Sequence, residues 1–395
     1  MVLQTAYDLS EPEHDVALTE VEKGTPMGEL LRRYWHPVGL SEDATATPKR
    51  IRALGEDLIL FRDGTGRPGV VHPRCAHRGS SLYYGKVEDR GIRCCYHGWL
   101  FDVEGNCVEQ PCEPNMGERT RGNVRQPWYP CEERYGLIWV YMGPAEKKPL
   151  LPRYELLENL DEGEFLEADD NGIGIGGPKV ADFNWFQHYE NVLDPFHVVV
   201  LHATFSGTQF VPEMAAMPDV KFTNEDLGVR CTSFRDLPDG GKLRRISEVI
   251  LPNLRVVPSP RLTAGRCTIL GWVLPIDNTH FTVYSAGRVK AEGDLRRIRS
   301  KMNDKYWEDL TDEEHQLYPG DYEAQKSQGD ITAHNHEQLG TTDQGIVMLR
   351  RFIKRQVKVV EDGGDPVGVA FNEGEEWLET PAGNWFSTAE TADAT

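Results

Sequence analysis

The rhythm of apolar and polar positions changes three times along the chain. At 24–40, G-T-P-M-G-E-L-L-R-R-Y-W-H-P-V-G-L puts Met27, Leu30, Leu31 and Tyr34 on one face. That spacing predicts a short helix capped by Thr25 with Pro26 in its first position, and a structural His36 at its end. From about Arg50 a period of two takes over. I-R-A-L-G, D-L-I-L-F-R-D and G-V-V-H predict strands, with D-G-T-G as a turn. W-L-F-D-V-E-G-N-C-V predicts a hairpin around Glu104-Gly105-Asn106, and R-Q-P-W-Y-P-C-E-E-R-Y-G-L-I-W-V-Y-M-G-P a closing strand pair. A-E-K-K-P-L-L-P is linker chemistry.

Beyond the linker, extended acidic sequence (F-L-E-A-D-D-N-G-I-G-I-G-G-P) leads to an amphipathic helix from about Val180. V-K-F-T, V-R-C-T-S-F-R-D, R-R-I-S-E-V-I-L, L-R-V-V-P, C-T-I-L-G-W-V-L-P and H-F-T-V-Y-S-A-G-R-V then predict successive strands. A last helix carries Ile346, Leu349, Ile353 and Val357 on one side. Strands gathered between helices predict an α+β fold. The expected parts are a segment 1–45 whose short helix packs on the larger domain, a β-domain 46–147, a larger domain 148–385 and a flexible tail 386–395. Residues 1–22 are polar and are expected to be weakly ordered.

Composition narrows the function. The chain has 395 residues, 39% hydrophobic and 27% charged, ample for two soluble domains. A net charge of −20 repels phosphate and argues against nucleic-acid binding. The N-terminus lacks a basic start and an apolar run, and no run is long enough to cross a bilayer, so neither secretion nor membrane insertion is expected. Eight cysteines without a framework pattern fit a reducing cytoplasm.

The richest chemistry lies between Cys75 and His97: C-A-H, sixteen residues, then C-C-Y-H. Each end offers one thiol and one imidazole, the set that a [2Fe–2S] cluster with two Cys on one iron and two His on the other requires. A structural Cys₂His₂ zinc is the alternative, although zinc modules usually pair like with like at each end. C-A-H-R-G followed by C-C-Y-H-G-W resembles the Rieske box of ring-hydroxylating oxygenases. The resemblance implies Cys75, His77, Cys94 and His97 as cluster ligands. Ser80 and Tyr96 stand where respiratory Rieske proteins carry a disulfide, which implies an oxygenase-type cluster of lower potential. G-T-P-M-G-E-L-L-R-R-Y-W likewise resembles the start of the phthalate dioxygenase branch.

The second chemical stretch is N-W-F-Q-H-Y-E-N-V-L-D-P-F-H-V-V-V-L-H, 184–202. Asn184, Gln187, Asn191, Asp194 and His197 recur at helical spacing, and Pro195 must interrupt the hydrogen-bond ladder. The break could swing His197 and His202 together; on an unbroken helix a spacing of five would align them poorly. A mononuclear Fe(II) that activates O₂ needs two His and one carboxylate. The resemblance makes His197 and His202 its imidazoles and registers Asp321 as the carboxylate, with Asp330 and Glu323 as fallbacks. It makes Asp194 the bridge from His197 to His97 of the partner subunit, beside the plainer reading of Asp194 as a helix cap. Asn184 and Asn191 are supporting candidates behind the metal. His334 and His336 are read as surface or supporting residues.

The family further implies an N-terminal all-β Rieske domain and a C-terminal helix-grip (START-like) catalytic domain with an antiparallel sheet. It implies an oxygenase (alpha) subunit that uses O₂ and electrons from an NAD(P)H-dependent flavin/iron–sulfur reductase, directly or through a ferredoxin. The expected reaction is mono- or cis-dihydroxylation of an aromatic compound, an aromatic carboxylate among the candidates, or O-demethylation of a methoxylated one. The expected assembly is a homotrimer or hexamer. Arg230, Arg235, Arg244 and Arg245 are candidate anion partners, although exposed Arg on strands is the commoner explanation. An electron carrier that has lost its second iron, and a START-like binding module with a zinc, are the rival classes.

Overall fold

The computed structural model describes residues 5–171, 177–295 and 305–387. Residues 388–395 of the expected tail and part of the acidic stretch before Val180 lie outside them.

Thr25 accepts a hydrogen bond from Gly28 N and caps the Pro26–Leu31 helix, whose Met27, Leu30 and Leu31 are buried. The segment before it is firmer than its polarity suggests. A turn of helix at Val16–Thr19 buries Leu18, and Val21 is also buried, so this part of 1–22 belongs to the core. His36 does not end the helix: it sits in the Trp35–Leu40 strand, which pairs with Leu137–Tyr141. Two small four-stranded sheets complete the N-terminal module. One runs through Lys49–Ala53, Glu56–Arg62, Pro68–Val71 and Trp128–Tyr129. The other runs through Lys86–Glu88, Gly91–Arg93, Leu100–Phe101 and Cys107–Glu109.

All six strands expected in the C-terminal region are present. Together with a seventh strand at 165–169 they form an antiparallel sheet in the order 165–169, 280–289, 269–277, 254–256, 242–250, 228–236, 219–225. Gly383–Ser387 adds to the 242–250 strand, so Phe386 and Ser387 are sheet rather than tail. The Gln344–Glu361 helix packs Leu349, Phe352, Ile353 and Val357 inward and lies against the 219–225 and 228–236 strands. This is the helix-grip arrangement. The other long helix expected from Val180 is shorter: Ala181 is still extended and bridges to Phe281, and the helix runs Trp185–Glu190.

One continuous core joins the two modules, including Leu60, Val70 and Trp139 from the first and Trp272, Phe281 and Leu349 from the second. The tip of the 49–62 hairpin docks by its backbone, Leu54 N to Pro275 O at 2.9 Å and Gly55 N to Ile276 O at 2.8 Å. Trp139 meets Trp272 edge-on at 5.0 Å, and Trp272 Nε1 donates to Tyr154 OH at 3.2 Å. A second, smaller core of Ile59, Phe61, Val71, Leu82, Ile92, Trp99 and Phe101 lies behind Cys75 and Cys94.

His36 links the modules to pH. Fully buried, its Nε2–H donates to Leu31 O at 2.8 Å, and burial holds its pKa down at about 4. An unfolded histidine titrates near 6.5, so between pH 6.5 and 4 the unfolded chain binds the extra proton and stability falls as pH falls. At pH 5 this group alone should remove about 2 kcal/mol relative to pH 7. His36→Gln should shrink the loss seen in urea titrations at the two pH values by that amount; an unchanged pH dependence would refute the assignment.

Candidate metal centres

The first centre sits on two loops at the tip of the small β-module. The loops have matching hydrogen bonds: Cys75 N to Ser80 O and Gly79 N to Cys75 O, then Cys94 N to Trp99 O and Gly98 N to Cys94 O, all 2.8–3.1 Å. Gly79 and Gly98 take φ of +76° and +73°, the left-handed turn that each loop needs. Both thiols are buried, the His77 and His97 rings lie 4.5 Å apart, and His77 stacks on Trp99 at 4.3 Å. Burial, reinforced by the Cys94 sulfur, pushes the Cys75 thiol up to about 12, so it is a poor thiolate until a metal displaces its proton.

The donor set fits an iron–sulfur cluster. His97 Nδ1 is shut away from water with no hydrogen-bond partner, as a nitrogen reserved for a metal would be. Among the described residues, the group of His, Cys and carboxylates that closes to single-ion spacing is a different one, so the four residues do not have the compactness of a zinc site. Ser80 Oγ and Cys95 Sγ lie 3.9 Å apart across the loops, and Cys95 is a free, exposed thiol.

That different group is His197, His202 and Asp321, whose ligand atoms lie within 4.8 Å of one another. The chain reaches it through a sequence of changes in winding. The Trp185–Glu190 helix tightens at Asn191–Leu193 and breaks at Pro195; a short helical turn, His197–Val199, then widens into a π-helical stretch, Val200–Phe205. Wide winding has i→i+5 repeats, so two histidines five apart can face one point. Thr204 Oγ1 donates to Val199 O, five residues back, at 2.9 Å. Asp194 Oδ1 accepts from Phe196 N and His197 N, starting the turn, while its Oδ2 stands 3.5 Å from His197 Nδ1.

Asp321 Oδ1, at the start of the Asp321–Lys326 helix, lies 3.6 Å from His197 Nε2 and 3.4 Å from His202 Nε2. Ligand atoms at right angles around a small divalent ion stand about 3 Å apart, so the three fit one with little movement. Burial tends to raise the Asp321 carboxyl, but His202 and His197 outweigh it and hold the group well below the carboxylate range. Burial also pulls His197 down, and Asp194 with Asp321 overcomes it, leaving its pKa raised.

Of the supporting candidates, Asn191 is in place: its Nδ2 donates to Asp321 Oδ1 at 3.2 Å. Asn184 is not. It caps the Trp185–Glu190 helix and donates to Thr19 O and Asn278 O, which makes it a tie to the N-terminal segment. Glu323 is engaged by Trp307 and His315, and Asp330 by Lys326. His334 and His336 bind Asp15 N and Ser10 O. Two residues gave no signal in the sequence. Gln209 Oε1 lies 2.7 Å from His202 Nδ1 while its Nε2 donates to Pro319 O, which turns the other imidazole nitrogen to Asp321. Gln126, buried 50 residues from Ala76, accepts from Ala76 N and donates to His72 O and Arg74 O, holding the first cluster loop.

A thiol–imidazole cradle and a separate single-ion triad on one chain are the equipment of proteins that feed electrons from an iron–sulfur cluster to a second metal. Residues 34–128 match the model of the Rieske [2Fe–2S] domain. The chain is 48% identical over 393 residues to the phenoxybenzoate dioxygenase subunit alpha of Ectopseudomonas oleovorans, covering 98% of this chain and 96% of the relative. It is 28% identical to the phthalate 4,5-dioxygenase oxygenase subunit of Pseudomonas putida, over 90% and 88% of the two chains. A caffeine-bound QL mutant of NdmA from Pseudomonas putida CBB5 shares the fold at a TM-score of 0.62 with 21% identity, covering 86% of this chain and 94% of that one. The chain belongs to the Rieske non-haem iron ring-hydroxylating oxygenases, as an oxygenase (alpha) subunit similar to the phthalate dioxygenase branch. It is therefore an oxidoreductase with a Rieske [2Fe–2S] cluster and a mononuclear iron. No helix among the described residues is long and apolar enough to cross a membrane.

Replacing Gln126 by Leu leaves one N–H and two carbonyls without their partner, at a cost on the order of 3 kcal/mol. The variant should purify with less than half the wild-type cluster absorbance and a lower thermal midpoint. Full cluster content would show that the loop holds its shape without Gln126.

Proposed function

We propose that Cys75, His77, Cys94 and His97 hold the cluster, that His197, His202 and Asp321 hold the mononuclear iron, and that Asp194 couples the two centres between subunits. The observation that carries this is the convergence of His197 Nε2, His202 Nε2 and Asp321 Oδ1 on one point, with His202 buried and His197 and Asp321 half-buried. When bound, the two groups supply electron storage and O₂ activation. Gln209 and Asp194 stand behind the two imidazoles and fix which nitrogen faces inward; Asn191 steadies Asp321.

The substrate is aromatic and the reaction a hydroxylation that consumes O₂ and two externally supplied electrons. Dioxygenation is the leading form, and an aromatic carboxylate the leading substrate class, in line with the relatives named for phenoxybenzoate and phthalate. An NAD(P)H-dependent reductase supplies the electrons. The assembly is a head-to-tail trimer, or two such trimers stacked, which puts His97 of the partner subunit against Asp194. Two surfaces support it. Tyr83, Tyr84 and Tyr96 are exposed around the cluster loops, and Val200 and Phe205 are exposed beside His197.

Two variants separate the roles. Asp321→Ala should keep the cluster spectrum, lose the mononuclear iron and abolish substrate-dependent O₂ uptake. Asp194→Asn should keep both metals and lose at least 100-fold in turnover, because an amide cannot accept from both rings. Asp321→Ala retaining its third iron would overturn the ligand assignment. Asp194→Asn at wild-type rates would overturn the coupling.

A further inference from the structure

Charge is unevenly placed along the chain. Residues 46–147 hold 15 Lys and Arg against 13 Asp and Glu, a balance of +2, so the remainder carries −22. Within this module Arg52, Arg62, Arg67, Arg90, Arg93 and Arg134 each meet a carboxylate. Arg74 and Arg125 are exposed, and among the described residues neither has a carboxylate partner. Arg125 lies over the Trp128 ring at 5.4 Å and donates to Glu104 O at 3.0 Å, while Arg74 Nη1 reaches Gly79 O at 3.5 Å. Both charges stand open to solvent beside the first cluster loop.

Arg125 forms part of the wall of a surface hollow of about 380 Å³, together with His72, Pro127, Trp128 and Tyr129. Arg74 borders it through His72, whose Nδ1 accepts from Arg74 N at 3.2 Å. Glu56 also lines the hollow, but its carboxylate is taken by Arg32 and by Tyr129 OH. Gln126, fully buried, closes the base, and its side chain holds Ala76 N and the carbonyls of His72 and Arg74 at 2.8–2.9 Å. Ala76 is the spacer between Cys75 and His77, so one buried side chain joins the hollow to the backbone between two cluster ligands. Tyr83, Tyr84 and Tyr96 do not line it; the Tyr96 ring lies against His97 at 3.9 Å.

We propose that this hollow and its two arginines are the docking face for the electron donor, and that the donor is an acidic electron-transfer protein. The assignment rests on reading Cys75, His77, Cys94 and His97 as the cluster ligands. A donor has to come close to the cluster. An acidic one is repelled by most of this chain and drawn to the open cations of the module, which steers it to the place where the electron is needed. Its carboxylates meet the guanidiniums of Arg74 and Arg125, and the Trp128 and Tyr129 rings add apolar contact. One electron passes from the reduced donor to the oxidised cluster, and no bond forms or breaks. Entry is on the Cys75–His77 loop and exit is at His97, so donor and neighbouring subunit use different faces.

The probe is a plant-type [2Fe–2S] ferredoxin of acidic pI, whose potential of about −400 mV makes transfer to a Rieske cluster downhill. Stopped-flow absorbance of the anaerobic, oxidised holoenzyme without substrate reads cluster reduction alone. The wild-type rate should fall at least tenfold from low to high salt. Arg74→Glu combined with Arg125→Glu should slow reduction at low salt at least tenfold, while dithionite reduces this variant as it does wild type. Replacing both by Lys should stay within threefold of wild type, and Arg351→Glu, a charge reversal on the Gln344–Glu361 helix, within twofold. A wild type that ferredoxin does not reduce, or reduces at a rate indifferent to salt, would overturn the proposal. So would wild-type rates in the doubly reversed variant, or equal slowing by Arg351→Glu. A doubly reversed variant of smaller assembly size would place the face in a subunit contact and overturn it as well. Absence of a Rieske-type EPR signal from dithionite-reduced wild type would instead sink the ligand assignment beneath it; with that signal present, a failure belongs to the docking face alone.

Discussion

Two imidazoles five residues apart must point at one carboxylate, and an ordinary α-helix does not allow it. The chain meets this constraint by giving up regular winding just where His197 and His202 lie. Pro195 ends the ladder, Asp194 restarts it by capping Phe196 and His197, and the π-helical stretch at Val200–Phe205 carries His202 round to the same side. Thr204 and Gln209 then fasten the widened turn, one through Val199 O and the other through His202 and Pro319 O. Such local disorder in the hydrogen-bond ladder is stable only if its surroundings over-determine it. The Trp185, Phe186 and Tyr189 side chains, fully buried just upstream, supply that support.

The second constraint is rigidity. The cluster loops form one end of the β-module, over their own small core, while the triad is carried by the 197–205 stretch and the Asp321–Lys326 helix of the larger domain. The modules are not hinged: a shared core, the docked turn at Leu54–Gly55 and the Trp139–Trp272 contact fix them as one body. The proposed function, in which one subunit's cluster serves its neighbour's iron, therefore relies on contact between rigid subunits rather than on a hinge within one.

Much of this was legible in the sequence where chemistry is local. Cys75, His77, Cys94 and His97 sit in two short boxes whose spacing carries their meaning, and the alternation from 50 to 141 and from 219 to 289 located the strands. The helix expected from Val180 starts later, at Trp185, because Val180 and Ala181 continue the apolar rhythm while Ala181 is still extended and bridges to Phe281. Asn184 shared the polar stripe of the metal helix, yet its place at the cap turns it toward the backbone of Thr19 and Asn278. Gln126 and Gln209 were invisible for a different reason: each acts across a fold contact, and nothing in R-Q-P-W or T-Q-F distinguishes them. Arg230, Arg235, Arg244 and Arg245 drew attention instead, and the structure gives each a partner of its own: Glu248, Ala216 O with Ser233 Oγ, the Trp385 ring, and Asn384.

The central claim is that one chain carries both a two-iron cluster and a separate iron at His197, His202 and Asp321. The direct measurement is iron per chain on anaerobically purified protein, together with low-temperature EPR after reduction. About three irons per chain with a Rieske-type signal is the predicted result. A count that stays at two after Fe(II) is added, or a colourless protein holding zinc, would contradict it.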